Sequence, residues 1–141
     1  MINELQKAQD LMNDGQYMPA VTILQNINGL SPKAENYRLL FMANCWYKLG
    51  EYQWAIDISD NLLQKDEHNE LASQMKYLSC CELKDFDNAL EEIVRFLSFN
   101  EADIYKVTLE ELLTDIKNGF INEQAIVSKI KELALKNNCL K

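Results

Sequence analysis

The stretch KLGEYQWAI, residues 48–56, has the composition of a tight connection between two helices. Its glycine suits the left-handed backbone with which many helices end, and most residues on either side favour helix. Similar stretches occur twice more, as DGQYMPAV at residues 14–21 and as LKDFDNAL at residues 83–90. Recurrence at a fixed spacing of 20–50 residues is typical of repeat proteins. The sequence therefore predicts a series of repeated helix pairs.

The repetition covers most of the chain. Tyr17, Tyr52 and Phe86 are 35 and 34 residues apart, and the alanine three residues after each of them keeps both intervals. Small, aromatic and apolar residues occupy matching places in three units, at residues 1–34, 36–69 and 70–103. The residues that carry this pattern are Ala8, Leu11, Gly15, Tyr17, Ala20, Leu24, Ile27 and Pro32 in the first unit, Ala43, Trp46, Gly50, Tyr52, Ala55, Ile56 and Leu62 in the second, and Tyr77, Cys80, Phe86, Ala89, Leu90, Ile93 and Phe96 in the third.

This pattern resembles the tetratricopeptide repeat (TPR), a helix–turn–helix unit of 34 residues. The resemblance extends over residues 1–100, about 70% of the chain. It implies an all-α fold, a right-handed superhelical stack of about three such units in which the first helix of each pair lines a concave groove. Lys84 replaces the glycine found in the other two turns, so the third turn is predicted to be less relaxed.

Helical periodicity continues beyond the third unit. Apolar residues recur at helical intervals up to Asn118 and again after Ala125. We interpret residues 104–141 as a degenerate fourth helix pair that caps the stack, because an array must cover its terminal apolar face. The whole chain, residues 1–141, is then a single domain. Its eight predicted helices lie near residues 3–14, 18–28, 34–49, 52–65, 70–83, 86–98, 102–118 and 123–137.

Composition narrows the classes of partner. The formal charge is −8 and basic residues with interleaved aromatics form no stripe, so nucleic acid is not expected as a ligand. The chain has no apolar run of the ~20 residues that span a bilayer, and its first residues do not resemble a signal peptide. Four unevenly spaced cysteines indicate reduced thiols, with Cys45 and Cys80 expected in the core. A cytoplasmic protein without membrane insertion is predicted.

Residues suited to catalysis are scarce. His68, the only histidine, falls in a predicted loop and is interpreted as an exposed turn residue. Phosphate-binding loops, dinucleotide-binding motifs and zinc-spaced Cys/His sets are not found. Adjacent acids such as Glu91 and Glu92 are expected to be solvated surface. We therefore predict a protein that is not an enzyme and that has no catalytic, cofactor-binding or metal-binding residues.

The TPR resemblance implies a binding surface on the first helix of each pair. We define the predicted binding surface as the ten residues Leu5, Gln9, Met12, Tyr37, Leu40, Asn44, Tyr47, Leu71, Gln74 and Leu78. By the same resemblance Ile2, Asn13, Lys48, Cys81 and Glu82 lie on this face. The surface is mainly apolar and aromatic, and it lacks the basic residues with which some TPR proteins grip a carboxylate. Apolar and aromatic residues also pack in helix cores. The sequence therefore allows two alternatives, a groove accessible to a ligand and a groove covered by the C-terminal helices.

The resulting function is a non-catalytic protein–protein interaction module, with an apolar or amphipathic segment of a partner protein in its concave groove. A chaperone or adaptor fits this description, and the chain is similar in size and acidity to small bacterial TPR secretion chaperones. One alternative is an immunity or antitoxin-type inhibitor that binds a basic enzyme through its acidic surface, with a steep salt dependence. The other is a self-assembling structural subunit, a homo-oligomer formed through the face around Trp54. Trp46 is expected to be structural.

Overall fold

The computed structural model describes the backbone of residues 2–139 and the side chains of residues 4–139. Within this range the chain is all-helical, with eight α-helices and no strand, which confirms the predicted all-α class and the predicted number of helices. Met1, Leu140 and Lys141, which belong to the predicted domain, and the side chain of Ile2 lie outside the described residues. The helices are α1 (Ile2–Asn13), α2 (Tyr17–Asn26), α3 (Pro32–Lys48), α4 (Tyr52–Lys65), α5 (Glu70–Glu82), α6 (Phe86–Phe99), α7 (Tyr105–Lys117) and α8 (Gln124–Lys136).

None of the helices described is both long and apolar enough to cross a bilayer.

Short connections and side-chain caps determine where the helices begin. Only three residues separate α1 from α2, α3 from α4 and α5 from α6. Ser31 caps α3 by accepting a hydrogen bond from the Ala34 amide at 3.2 Å, and Pro32 occupies the first turn. Asn69 caps α5 in the same way through the Ala72 amide at 3.0 Å. The Ser31 cap explains why α3 begins at Pro32, two residues before the predicted start at residue 34.

The helices associate both along the chain and across it. Within each pair the two helices pack together, and α3 and α5 also pack on the second helix of the preceding pair. The first helices of successive pairs contact each other as well, α1 with α3 and α3 with α5, and α8 packs on α6. This arrangement places α1, α3 and α5 side by side, which brings together the helices that carry the predicted binding surface.

The first helix of each of the four pairs ends in the same left-handed turn, at Gly15, Gly50, Lys84 and Gly119, with φ of 77°, 82°, 61° and 80°. These positions are 35, 34 and 35 residues apart along the chain. At each of them two backbone hydrogen bonds close a Schellman motif; at Gly50 the glycine amide donates to the Tyr47 carbonyl at 3.0 Å and the next amide to the Trp46 carbonyl at 2.8 Å. Lys84 makes the same two hydrogen bonds although it is not a glycine. Because Lys84 carries a Cβ, its left-handed backbone is strained, in line with the less relaxed turn that the sequence predicts.

Exchanging residues between these turns should move stability in opposite directions. We expect Lys84→Gly to raise the free energy of unfolding by about 0.5–1 kcal/mol, since relief of the left-handed strain exceeds the entropy cost of glycine. Gly50→Lys should lower it by about 1 kcal/mol. A Cβ at Gly50 would meet no atom within 4 Å, so this cost arises from the backbone alone. Urea unfolding followed by circular dichroism measures both, with Lys84→Ala as the control that keeps the strain; equal stability of the glycine and alanine variants would contradict the explanation.

The core consists of three clusters rather than one. The N-terminal cluster lies between α1, α2, α3 and α4 and includes Leu24, Trp46 and Ala55. A small middle cluster lies between α3, α4 and α5 and is formed by Leu39, Leu62, Leu63 and Ala72. The C-terminal cluster is the largest and joins α4 to α8 through residues such as Phe96, Tyr105 and Ile130. The fourth helix pair is therefore an integral part of the C-terminal core.

The seventh helix begins at Tyr105, three residues later than the periodicity predicts. The reason lies far away in the sequence: the Ala102 amide donates to Asn137 Oδ1 at 2.7 Å, and the amides of Asp103 and Tyr105 donate to Glu70 Oε2 at 2.9 and 3.0 Å. These acceptors satisfy the free amides at the start of α7 and hold the preceding residues in a loop.

The four cysteines are free thiols, and Cys45 and Cys80 lie in the core as predicted. Burial raises the pKa of Cys45 to about 11. At neutral pH this group is therefore a protonated, poorly nucleophilic thiol that acts as a small apolar side chain.

Candidate functional site

The predicted binding surface is partly accessible. Tyr37 on α3 and Leu71 on α5 are each 48% exposed, although both are large apolar residues on helices that pack against each other. Gln9 is also exposed, whereas Leu5, Leu40, Asn44, Tyr47, Gln74 and Leu78 are half-buried. Nine of the ten residues thus keep some contact with solvent, and those on α3 and α5 lie on neighbouring helices.

Met12 is the exception within this surface. It is buried and packs in the N-terminal cluster, which also contains Ala8, one turn earlier on α1, and Ala20 on α2. Met12 is therefore a core residue, and of the three α1 residues in the predicted binding surface Leu5 and Gln9 are accessible to a ligand.

Aromatic contacts hold the α3 side chains in place. The ring of Tyr37 lies 6.2 Å from that of Phe41, and the ring of Tyr47 lies edge-on to Tyr52 at 5.5 Å. Tyr52 is the repeated aromatic residue of the second unit, so the turn that defines the repeat also supports the surface. Burial raises the pKa of Tyr47, and the nearby Glu82 carboxylate on α5 adds to this effect. Tyr47 also packs against the N-terminal cluster.

The C-terminal helices approach α5 without covering this surface completely. The Tyr105 hydroxyl on α7 lies 2.8 Å from Ser73 Oγ, and its ring is 6.1 Å from that of Tyr77. Leu78 packs in part against the C-terminal cluster. Leu71 nevertheless stays half-exposed with α7 and α8 in place. The surface is therefore accessible at Tyr37 and Leu71 and less accessible at Leu78.

A buried polar group lies behind α5, where only solvated surface was predicted. Glu92 is 3% exposed, which contradicts the interpretation of this residue as a surface acid, whereas its neighbour Glu91 is exposed. Ser73 Oγ donates to Glu92 Oε2 at 2.5 Å, and Arg95 donates to both carboxylate oxygens at 2.6 and 3.0 Å. Lys76 Nζ lies 3.7 Å from Glu92 and 2.7 Å from Asp60 on α4. We call these residues, with Tyr105, the Glu92 network.

The Glu92 network has a structural role. Its members come from α4, α5, α6 and α7, and both Glu92 oxygens are already occupied by protein donors. Burial raises the pKa of Tyr105 far above its usual range, so its hydroxyl stays protonated. The sequence held a signal for the burial, because Glu92 lies three residues after Ala89 and four before Phe96, on the apolar face of α6.

An exposed aromatic residue outside the predicted binding surface lies on α4, the second helix of the second pair. Trp54 on α4 is half-exposed, while Trp46 on α3 is buried as predicted, and their rings meet edge-on at 4.6 Å. Trp54 lines an open cavity of about 340 Å³ with Gln25 and Met42 among its other residues. Trp46 thus supports Trp54 from the core side.

His68 occupies the connection between α4 and α5 and is exposed, as predicted. Its Nδ1 atom lies 2.6 Å from Asn100 Oδ1, in the equivalent connection between α6 and α7. Within residues 4–139, the acidic, histidine and cysteine side chains do not gather in groups of three that could hold a metal ion.

Compared with models of protein families, with curated proteins and with solved structures, the chain matches none of them.

Proposed function

We propose that this protein is a non-catalytic protein–protein interaction module of TPR type. Its ligand is an apolar or amphipathic segment of a partner protein, bound on the predicted binding surface without Met12. The observation that carries the proposal is the half-exposure of Tyr37 and Leu71 on two helices that pack together. Large apolar side chains that stay exposed on neighbouring helices of a small domain are typical of docking sites.

Repetition in the structure supports the TPR part of the proposal. The left-handed turns recur after 35, 34 and 35 residues, and the first helices α1, α3 and α5 contact one another in sequence. A stack of this kind presents one continuous face made of first helices. Its side chains here are apolar and aromatic rather than basic, which favours an apolar segment over a carboxylate as the ligand.

Binding on such a face is explained by burial of apolar area. Tyr37 and Tyr47 are restrained by Phe41 and Tyr52, so they lose little conformational entropy when a ligand covers them. Asn44 and Gln74 are half-buried among them and supply hydrogen-bonding groups to a ligand backbone. A chaperone that covers an aggregation-prone segment and an adaptor that joins two proteins both use this chemistry.

The test is a double substitution on the exposed residues. We expect Tyr37→Ala/Leu71→Ala to weaken binding about 30- to 700-fold, because each exposed anchor that becomes buried contributes about 1–2 kcal/mol and every 1.4 kcal/mol is about tenfold in affinity. The partner would be captured by cross-linking in lysate of the source cells, identified by mass spectrometry and then purified. Its dissociation constant would be measured by isothermal titration calorimetry with the wild type and with the variant.

Phe99→Ala/Val107→Ala is the matched control, because both residues are exposed apolar side chains outside the predicted binding surface. This control should bind like the wild type, and the affinity should change little with salt. A partner that binds both variants equally, and dissociates as salt rises from about 20 to about 500 mM, would instead support recognition of a basic protein through the acidic surface.

A further inference from the structure

The turn between α7 and α8 differs from the three earlier turns of this kind. Each second helix in the first three pairs begins two residues after the left-handed residue, as α4 does at Tyr52 after Gly50. In contrast, α8 begins at Gln124, five residues after Gly119. The longer connection leaves an open cavity of about 480 Å³, which we call the α7–α8 cavity.

Apolar side chains form most of the α7–α8 cavity. Tyr77, Ala89 and Leu112 are buried and line it from α5, α6 and α7. Phe86 and Phe120 also line it and are 55% and 79% exposed, although the aromatic residues equivalent to Phe86 in the first two pairs are half-buried. The repeated aromatic residue of the third unit is thus left without the cover that its counterparts have. Cys81, Leu90, Ile121, Asn122 and Ile126 complete the apolar and neutral lining.

Two carboxylates and no cationic residue belong to the lining. Asp115 and Glu123 lie beside the aromatic residues, and among the described residues neither forms a salt bridge. The pKa of Tyr77 is raised, mainly by burial and further by nearby acidic groups that include Asp115. The cavity therefore combines an apolar interior with a negative potential, on a chain whose formal charge is −8.

We propose that the α7–α8 cavity is a second docking site, for a segment of a partner protein in which apolar side chains are flanked by Lys or Arg. A volume of about 480 Å³ is within the range of sites that enclose small groups, with room for about two apolar side chains. Flanking cations would meet Asp115 and Glu123 and could stack on the exposed rings. A second copy of this acidic chain is a poor occupant, because like charges repel. This site goes beyond the proposed function, since it shares no residue with the predicted binding surface.

Three synthetic peptides test the chemistry: KKFLKK, EEFLEE and KKSSKK. Each would be titrated into the ¹⁵N-labelled full chain, with backbone amide shifts as the readout. We expect KKFLKK to shift the amides of residues 118–123 and of Phe86, and to bind about tenfold more tightly than either other peptide. Equal binding of EEFLEE, equal binding of KKSSKK, or an absence of shifts at these amides would overturn the proposal.

Phe120 and Phe99 form a matched pair, because both are 79% exposed and only Phe120 lines the cavity. Phe120→Ala should weaken KKFLKK about tenfold, whereas Phe99→Ala should leave its affinity unchanged. Asp115→Asn/Glu123→Gln should reduce the preference for KKFLKK over EEFLEE, while Glu101→Gln, outside the cavity, should preserve it. Equal effects within either pair would overturn the proposal. Retained peptide binding by Tyr37→Ala/Leu71→Ala would show that the two sites are independent, and its loss would place the peptide on the other surface and overturn this proposal.

Discussion

Glu92→Ala is expected to lower the free energy of unfolding by about 3 kcal/mol, the largest effect that we predict for a single side chain. Removal of one member of a buried ion pair typically costs 3–5 kcal/mol. The lower end applies because the Arg95 side chain is 39% exposed and can turn toward water once its partner is gone. Ser73 and Tyr105 are fully buried and cannot turn toward water. Ser73 would lose its acceptor, and the Tyr105 hydroxyl would lose the support of a well-placed Ser73.

The adjacent residue provides the control for this prediction. Glu91 precedes Glu92 by one position on the same helix but is exposed. Glu91→Ala should therefore change the free energy of unfolding by less than about 0.5 kcal/mol. Glu92→Gln, which keeps an acceptor for Ser73, should fall between the two. Urea unfolding monitored by circular dichroism measures all three variants. Similar losses for Glu91→Ala and Glu92→Ala would contradict the role that we give to the network.

Asn137→Ala is expected to lower the free energy of unfolding by about 2 kcal/mol. The Asn137 amide is buried, accepts from the Ala102 amide at 2.7 Å and donates to the Leu133 carbonyl at 2.8 Å. Alanine would leave the buried Ala102 amide without an acceptor, and an unsatisfied buried donor costs about 1–3 kcal/mol. Because this bond joins residues 35 positions apart, α7 and α8 should lose stability together.

Asn118 is the matched control, because it ends α7 as Asn137 ends α8 but is exposed. Asn118→Ala should have an effect of less than about 0.5 kcal/mol. Hydrogen exchange would show where the stability is lost, with faster exchange in α7 and α8 of Asn137→Ala. Faster exchange confined to α1 and α2 would contradict the proposed link between the ends of the fourth pair.

Local sequence signals predicted the helices well because each helix pair depends mainly on nearby residues. Glycines at 15 and 50 marked the turns, and Lys84 could be assigned to the same left-handed position by its spacing. The start of α7 could not be predicted in this way, since its caps are Glu70 and Asn137, which are distant in the sequence.

The binding surface was less predictable than the helices. The TPR resemblance placed its residues on α1, α3 and α5, but it did not show that Met12 is buried in the N-terminal cluster. The prediction of a solvated surface acid was wrong for Glu92, because adjacent residues of a helix point in different directions and only Glu91 faces solvent. The apolar neighbours on α6 favour burial of Glu92 rather than Glu91. Its partners Ser73 and Lys76 belong to α5, so spacing along α6 does not predict them. The α7–α8 cavity depends on packing around a longer connection, which repeat spacing does not describe.

The division of the core into three clusters has a consequence for how such a chain can change over evolutionary time. The N-terminal cluster and the C-terminal cluster are built from separate sets of buried residues, with a small middle cluster between them. Where helix pairs contact mainly their neighbours, stability is close to a sum over neighbouring units. Gain or loss of a helix pair at the N-terminal end would then alter the length of the molecule while the packing around Tyr105 is kept. The number of helix pairs can then change during evolution without a change in the C-terminal core.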